Sequence, residues 1–173
     1  MAREIIDMTD LLSHTWTYQI DGADLVVRNI TASCFGGAYD SGDDGRTESG
    51  ILNDGSDPAL LGVALPIRST EAATRTSPLA FAGPHIPWRS IVKVWREADG
   101  EAAAIACLLI DNGPDQLRCP THAIDLNPGA ALHFSPGFDP RKIADEWLQT
   151  GFSYRIVDAA KYAPAFASKS ASE

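Results

Sequence analysis

The sequence has little cysteine, little basic charge and no long apolar run. Three cysteines in 173 residues cannot all pair within one chain. Fourteen Lys and Arg residues stand against 23 Asp and Glu residues, for a net charge of -9. Phosphate binding needs a basic surplus, so this balance argues against nucleic acid as a partner. No stretch approaches the roughly 18 apolar residues of a membrane helix, so membrane insertion is not expected.

The cysteines leave two arrangements open. Cys107 lies within an apolar run, residues 103–110, and is predicted to be a small buried hydrophobic residue. A Cys34–Cys119 disulfide is the alternative to three free thiols. The lack of a secretion signal favours the thiols.

The N-terminal segment carries one early Arg, then acids, and no apolar stretch long enough for a signal peptide. Three routes remain open. The protein stays in the cell that makes it, it reaches the periplasm or cell wall in a phage particle or through a secretion machine, or a leader has been removed.

Length and composition predict one domain. At about 150 residues per domain the chain fits one unit, and 45% apolar residues suit a globular protein. We predict an N-terminal extension over residues 1–23, a barrel domain over 24–160, and a flexible tail over 161–173, where the sequence is small, polar and aperiodic.

Short strands and long loops predict a mainly β fold. Strands are predicted at 24–35, 60–67, 91–96, 102–110, 123–126 and 152–157. Residues 36–57, hereafter the acidic loop, hold six glycines and six acids. A second loop is predicted at 68–87. The pattern is typical of a compact β-barrel with loop insertions and one or two short helices.

Two helices are predicted. Ile5, Met8 and Leu12 have helical spacing and predict a short helix over residues 4–13. The second helix is predicted to begin after Asp139 as N-cap, with Pro140 at its first position, and to stop at Gly151.

No cofactor or metal is predicted. The acidic loop contains Asp40-x-Gly42-x-Asp44, but Ile51 stands where a calcium loop needs its bidentate Glu. The Cys119-Pro-Thr-His122 segment has metal-ligand spacing without a second pair at a zinc-site distance. No Walker loop, dinucleotide fingerprint or Gly-x-Ser-x-Gly elbow occurs.

Four segments, in order, resemble the rare lipoprotein A-like double-psi β-barrel family. They are Ala32-Ser-Cys-Phe-Gly36, Gly45-Arg-Thr-Glu-Ser-Gly50, Ile86-Pro-Trp-Arg-Ser-Ile-Val-Lys-Val94, and Asp111-Asn-Gly-Pro114 followed by Ile124-Asp-Leu126. Related barrels occur in membrane-bound lytic transglycosylase A, three-aspartate domains and expansins. The resemblance spans about residues 30–157 and implies a six-stranded double-psi β-barrel that holds a glycan in a groove, with an Asp as the acid.

The chain also departs from that family. The family's His, which comes shortly before the Leu-Pro strand, is missing, and the nearest His is His85. Leu65 stands at the aspartate position of the three-aspartate domains, and Glu48 replaces an Ala. These departures favour a non-catalytic role.

Asp111 is the first candidate catalytic residue. It ends an apolar strand, where lost hydration raises the pKa of a carboxyl and suits it to donate a proton to a glycosidic oxygen. The alternative is that Asp111 only caps its Asp-Asn-Gly turn. Asp125 is the second candidate: it bonds to substrate or orients Asp111, or else it binds backbone amides where the chain turns toward Asn127-Pro128.

Further candidates are predicted to bind substrate. Tyr39, Glu48 and Ser49 flank the groove implied by the resemblance, and Tyr39 offers a flat face to a sugar ring. His85 is a candidate proton shuttle, and His122 a further groove residue. For Glu48 and His85, the alternative is a solvated loop residue without a role. Trp88 takes the family's Phe position and is predicted to be core.

Two functions follow from these expectations. The first is a peptidoglycan-cleaving enzyme similar to lytic transglycosylases, with Asp111 as acid and later base. The second is a non-catalytic glycan-binding or structural barrel, for example in a phage tail or another envelope-crossing assembly.

Overall fold

A computed structural model describes residues 5–7, 17–65, 86–114 and 122–159 of the protein. Its strands are β1 (Ile5–Asp7), β2 (Thr17–Asp21), β3 (Asp24–Cys34), β4 (Gly62–Leu65), β5 (Ile91–Arg96), β6 (Ile105–Asn112), β7 (His122–Leu126) and β8 (Leu148–Ile156). Its two α-helices in these ranges are α1 (Pro128–Phe134) and α2 (Ile143–Glu146), with a 3₁₀ turn at Glu101–Ala103.

Six strands close into a barrel in the order β3-β7-β4-β6-β5-β8. The closing contact is an antiparallel pairing of β8 with β3, which joins Ile156 to Leu25 and Leu148 to Ser33. Two of the six pairings, β3–β7 and β4–β6, are parallel and the other four are antiparallel. The predicted mainly β, six-stranded barrel with two short helices is confirmed, whereas the double-psi connectivity stays a prediction.

Four connections of the ring, β3–β4, β4–β5, β6–β7 and β7–β8, join strands that have one other strand between them, and two of these connections matter for the site. The acidic loop leaves β3 and reaches β4 beyond β7, and the chain leaves β6 and reaches β7 beyond β4. As a result, four sequence-distant strand segments lie side by side. Outside the closed ring, β2 forms a hairpin with β3, and β1 pairs with β2.

Alternating side chains fill the barrel. Val63 and Leu65 on β4, and Ile124 and Leu126 on β7, belong to one hydrophobic core. Ala64 and Asp125 occupy the intervening positions, and strand geometry turns them to the opposite face. Trp88 packs against this core, as predicted.

The predicted helix over residues 4–13 is wrong at residues 5–7, which form β1. Its short apolar pattern fits a strand as well as a helix, and pairing with β2 decides between them. Residues 8–16 lie outside the described residues, as does the proposed tail at 161–173, and the predicted domain boundaries stay predictions.

The second predicted helix is also wrong in extent. Only the single turn α2 forms. Asp139 accepts a hydrogen bond from the Arg141 backbone N–H without capping α2. Gly151 (φ +75°) lies inside β8. The sequence prediction missed α1 altogether, reading Asn127-Pro128 as a turn.

Candidate active site

Four residues form a row across four neighbouring strands. Strand register pairs Ser33 of β3 with Asp125 of β7, Asp125 with Ala64 of β4, and Ala64 with Asp111 of β6. We call this set the cross-strand row. It brings together both predicted catalytic residues, with the small side chain of Ala64 between their strands. Adjacent strands lie about 4.8 Å apart, so the two aspartate backbones are about 10 Å apart.

Gly113 lies over the middle of the row. A Cβ atom built at Gly113 would be 3.4 Å from Asp125 Oδ2 and 3.7 Å from Ala64 Cβ. The Asp125 carboxylate and the Ala64 methyl group therefore face the same side of the sheet. Glycine at this position leaves that side of the carboxylate without a covering side chain.

Asp111 is half-buried at the end of β6. Its Oδ1 accepts the backbone N–H of Asn112 at 2.8 Å and of Glu48 at 3.2 Å. Burial raises the pKa of this carboxyl, and the two hydrogen bonds lower it by a smaller amount. The negative charges of Asp43 and Glu48 raise it further. Within the described residues, no hydrogen-bond donor contacts Oδ2 of Asp111.

Asp125 is the more desolvated acid. Burial raises its pKa from 3.8 to about 6, and the charges of Asp111 and Asp40 act in the same direction. The hydrogen bond from Ser33 opposes the rise, because it favours the charged carboxylate. The charge of Asp111 thus contributes to the raised pKa of Asp125, whereas Asp43 and Glu48 are the charges that raise the pKa of Asp111.

Ser33 was missed by the sequence prediction of the site. Its hydroxyl donates to Asp125 Oδ1 and lies 3.1 Å from His122 Nδ1. Burial lowers the pKa of the His122 imidazole. Ser33 stands in the first of the four resembling segments, and strand alternation puts it on the outward face. That signal could have selected it, but only the β3–β7 register places it beside Asp125.

The acidic loop crosses one end of the row. Besides the Glu48 N–H, which binds Asp111, the Ser49 N–H donates to the Ile110 carbonyl at 3.0 Å. The Glu48 carboxylate is exposed, and the Ser49 hydroxyl contacts Thr47 Oγ1 at 2.9 Å within the loop. Glu48 and Ser49 therefore reach the row through their backbone.

The Asp40 carboxylate accepts the backbone N–H of Gly36 at 2.7 Å and of Gly42 at 2.9 Å. Its oxygens hold the turn of the acidic loop. Among the described residues, no group of three or more His, Cys, Asp or Glu side chains is arranged to hold a metal ion.

Tyr39 lies elsewhere. The residue is 57% exposed and lines an apolar cleft of about 200 Å³ together with Leu52, Pro58, Leu132 and Pro140. This cleft includes neither aspartate of the row. The structure thus separates Tyr39 from the two acids, although both were predicted for one groove.

Two predicted groups fall outside the described residues: His85, the candidate shuttle, and Cys119, the candidate disulfide partner. Cys34 and Cys107 are buried and, within the described part of the chain, form no disulfide. Burial raises the pKa of both thiols, that of Cys107 to about 12.

Across the described ranges, no helix is both long and apolar enough to cross a bilayer.

A scan against protein-family models and a search of curated proteins both found no match to the chain. The resemblance to rare lipoprotein A-like proteins therefore rests on the four segments alone. Two of them, the first and the fourth, contribute Ser33, Asp111 and Asp125 to the row.

Proposed function

We propose that this protein cleaves a glycan chain, with peptidoglycan as the substrate class and a lytic-transglycosylase-like reaction. The observation that carries the proposal is that the register of β7, β4 and β6 places Asp125 and Asp111 in one row, and that the pKa of each carboxyl is raised. The resemblance supplies the substrate class. Delivery to the cell wall, in a phage particle or another envelope-crossing assembly, is part of the same proposal.

Asp111 is the residue proposed to contact the sugar. Each carboxylate keeps one oxygen without a donor among the described residues, but Asp125 is the more deeply desolvated of the two and is bonded to Ser33, whereas Asp111 is half-buried. A half-buried carboxyl with a raised pKa keeps its proton closer to neutral pH than a solvated one, which suits a general acid.

The proposed reaction needs one proton carrier. Protonated Asp111 donates its proton to the glycosidic oxygen as the bond from that oxygen to C1 of the sugar breaks. The sugar's own C6 hydroxyl then bonds to C1 and gives its proton to the Asp111 carboxylate. The product is a 1,6-anhydro sugar, no water is consumed, and Asp111 ends protonated as it began.

Asp125 supports this cycle through its charge. When Asp125 is ionised, its negative charge raises the affinity of Asp111 for a proton. Activity is therefore expected to fall as pH rises through the raised pKa of Asp111, because its acid form is lost. A hydrolase would instead use the second carboxyl to activate water or form a glycosyl bond.

The experiment is digestion of purified sacculi with separation of the soluble products. The protein is expected to release anhydro-muropeptides, and Asp111→Asn is expected to lower the rate about 100-fold or more, since general acid catalysis contributes at least that much. Asparagine keeps an oxygen that accepts the Glu48 and Asn112 N–H groups, so the fold is retained.

Asp54→Asn is the matched control. Asp54 also accepts a backbone N–H through Oδ1, from Ser56 at 2.9 Å, but lies in an exposed turn. It is expected to digest sacculi like the wild type. Equal rates for the wild type and Asp111→Asn would overturn the role of Asp111, and products with reducing ends would identify a hydrolase.

A non-catalytic glycan-binding or structural module is the second candidate. The two backbone bonds to Asp111 Oδ1 favour it, because they also tie the acidic loop to β6 as a turn cap would. Wild-type protein that sediments with sacculi at several pH values but releases no fragments would establish this alternative.

A further inference from the structure

The Ser33 hydroxyl connects two titratable side chains. Its oxygen contacts the Asp125 carboxylate on one side and His122 Nδ1, at 3.1 Å, on the other. His122 and Asp125 lie on the same strand, β7, and Ser33 reaches both from β3 across a parallel pairing. The three groups form one hydrogen-bonded chain.

The Ser33 hydroxyl carries only one proton, so the hydrogen bonds that link His122, Ser33 and Asp125 can run in either of two directions. In the first, His122 Nδ1–H donates to Ser33, and Ser33 donates to the Asp125 carboxylate. In the second, protonated Asp125 donates to Ser33, and Ser33 donates to the lone pair of His122 Nδ1. The two directions exclude each other, because Ser33 cannot donate to both partners at once.

We propose that Ser33 is a positioning residue that carries a proton between His122 and Asp125. In the balanced step, the imidazolium of His122 gives its Nδ1 proton to Ser33 as the Ser33 hydroxyl proton passes to Asp125. Imidazolium and carboxylate become neutral imidazole and carboxylic acid. One N–H bond breaks, one O–H bond forms on Asp125, and no heavy atom has to move.

The charged surroundings favour a proton on Asp125. The neighbours that interact with it electrostatically are Asp111 on β6 and Asp40 in the acidic loop, both carboxyls. Cys34 on β3 is a buried thiol held in its neutral form, and β4 contributes only Ala64. Of the three hydrogen-bonded groups His122, Ser33 and Asp125, His122 is the one that can carry a positive charge.

The catalytic consequence rests on the proposed function. Proton transfer from His122 removes the negative charge of Asp125 from beside Asp111. That change lowers the affinity of Asp111 for its proton, and so assists its donation to the leaving oxygen. The hydrogen-bonded chain itself exists whether or not the protein cleaves glycan.

The test is a pH titration of the His122 ring by ¹⁵N NMR on the full chain, with the His122 signals assigned by their loss in His122→Gln. In the wild type, Nδ1 is expected to show two inflections, its own and one at the pKa of Asp125, because the protonation of Asp125 sets the direction of the chain. Ser33→Ala is expected to lose the second inflection.

Ser33→Thr keeps a hydroxyl and is expected to restore the second inflection. Ser90→Ala, which removes a hydroxyl bonded to the Pro87 carbonyl, is the control for a lost serine and is expected to titrate as wild type. A single inflection in the wild type, or two inflections in Ser33→Ala, would overturn the proposal.

Sacculus digestion separates this inference from the proposed function. If the protein digests sacculi, Ser33→Ala is expected to shift the fall of activity to lower pH with KM unchanged. Loss of the Ser33 bond keeps Asp125 protonated to higher pH, which removes the negative charge that raises the proton affinity of Asp111. If no digestion occurs, the NMR titration still decides whether Ser33 carries a proton between His122 and Asp125. An unshifted pH profile would contradict the catalytic role alone.

Discussion

The buried position of Asp125 in the barrel wall disfavours ionisation of its carboxyl group. Its neighbours across the strands are Ser33 and Ala64, and only Ser33 donates a hydrogen bond to it in the described part of the chain. Its pKa rises from 3.8 to about 6. A carboxyl whose pKa is raised on folding binds its proton more tightly in the folded state, and therefore destabilises that state wherever the unfolded chain would ionise.

Asp125→Asn is accordingly expected to stabilise the protein at pH 7.5. The gain approaches about 3 kcal/mol, because a pKa rise from 3.8 to about 6 corresponds to that free energy. The gain shrinks as pH falls through 6 toward 4, where wild-type Asp125 is protonated in the folded state and increasingly so in the unfolded state. Urea unfolding at pH 7.5 and 4.5 measures it.

Asp54→Asn is the control, since Asp54 is exposed and its pKa is lowered by hydrogen bonds from Ser56. It is expected to bring no gain at either pH. A gain from Asp125→Asn that is the same at both pH values would show that desolvation of the charge is not its cause.

The residues of the site were predictable only in part. Asp111 and Asp125 follow from their places in the resembling segments, and the structure brings them into one row. Ser33 and Ala64 carry no chemical signature, and their roles depend on which strands are neighbours. Tyr39 was assigned to the acids' groove because loop residues can reach many surfaces, and its loop takes it to another cleft.

Among the secondary-structure elements, α1 and β4 share one polar anchor. Buried Asn127 accepts the Gly62 N–H and the Ala130 N–H through Oδ1, both at 3.0 Å, and donates to the Leu60 carbonyl at 2.9 Å. One side chain thus caps α1 and fixes the start of β4. Ala64, the centre of the cross-strand row, lies two residues beyond Gly62.

Asn127→Ala is expected to destabilise the protein by about 2 to 4 kcal/mol, since it removes a helix cap and leaves buried backbone groups unpaired. Urea unfolding measures the loss. Asn112→Ala is the control, because the Asn112 side chain is exposed. Equal stabilities of the two variants would contradict the anchoring role of Asn127.

Strands were predicted better than helices, for a physical reason. β5 was predicted at 91–96, where apolar and polar residues alternate, and forms there. The helix predicted after Asp139 fails because Trp147 leaves the helical conformation and its indole N–H donates to Ser135 at 3.0 Å. Leu148 then pairs with Ser33 across the barrel closure, and this tertiary pairing outweighs local helical spacing.

For the molecule as a whole, Arg155 joins distant parts of the chain. Its guanidinium lies on β8 and contacts Asp21 at 3.0 Å and Asp24 at 3.1 Å in the β2–β3 hairpin, and Glu101 in the 3₁₀ turn. Its side chain is only 13% exposed. These bonds raise the pKa of Arg155, and they brace the barrel where its last strand meets its first.

Arg155→Met is expected to lower stability by about 2 kcal/mol or more, because it removes the guanidinium that three carboxylates share, and Arg28, 3.9 Å from Glu101, replaces only part of its charge. Urea unfolding at low and high salt measures the loss, which is expected to shrink as salt screens the repulsion. Arg141→Met, which removes an exposed pair with Asp139, is expected to change stability far less. Equal losses of stability in Arg155→Met and Arg141→Met would contradict the bracing role of Arg155.

The barrel class was predictable from short strands and long loops, but the strand order was not. Nothing in the local pattern of 60–67 or 123–126 indicates that β4 lies between β7 and β6. That arrangement depends on which apolar faces close around a common core, a property of all six strands together.

The cross-strand row has a consequence for how this protein acquires its chemistry. Its members come from positions 33, 64, 111 and 125; β7 and β4 each lie between two other strands of the row, while β3 and β6 end the row beside β8 and β5. Ser33 and Ala64 come from parts of the polypeptide that lie well before both aspartates, so folding has to bring these strands together. During refolding, proton exchange between His122 and Asp125 requires only that β3 pairs with β7. The electrostatic interaction between Asp125 and Asp111 also requires β4 and β6 to be in place.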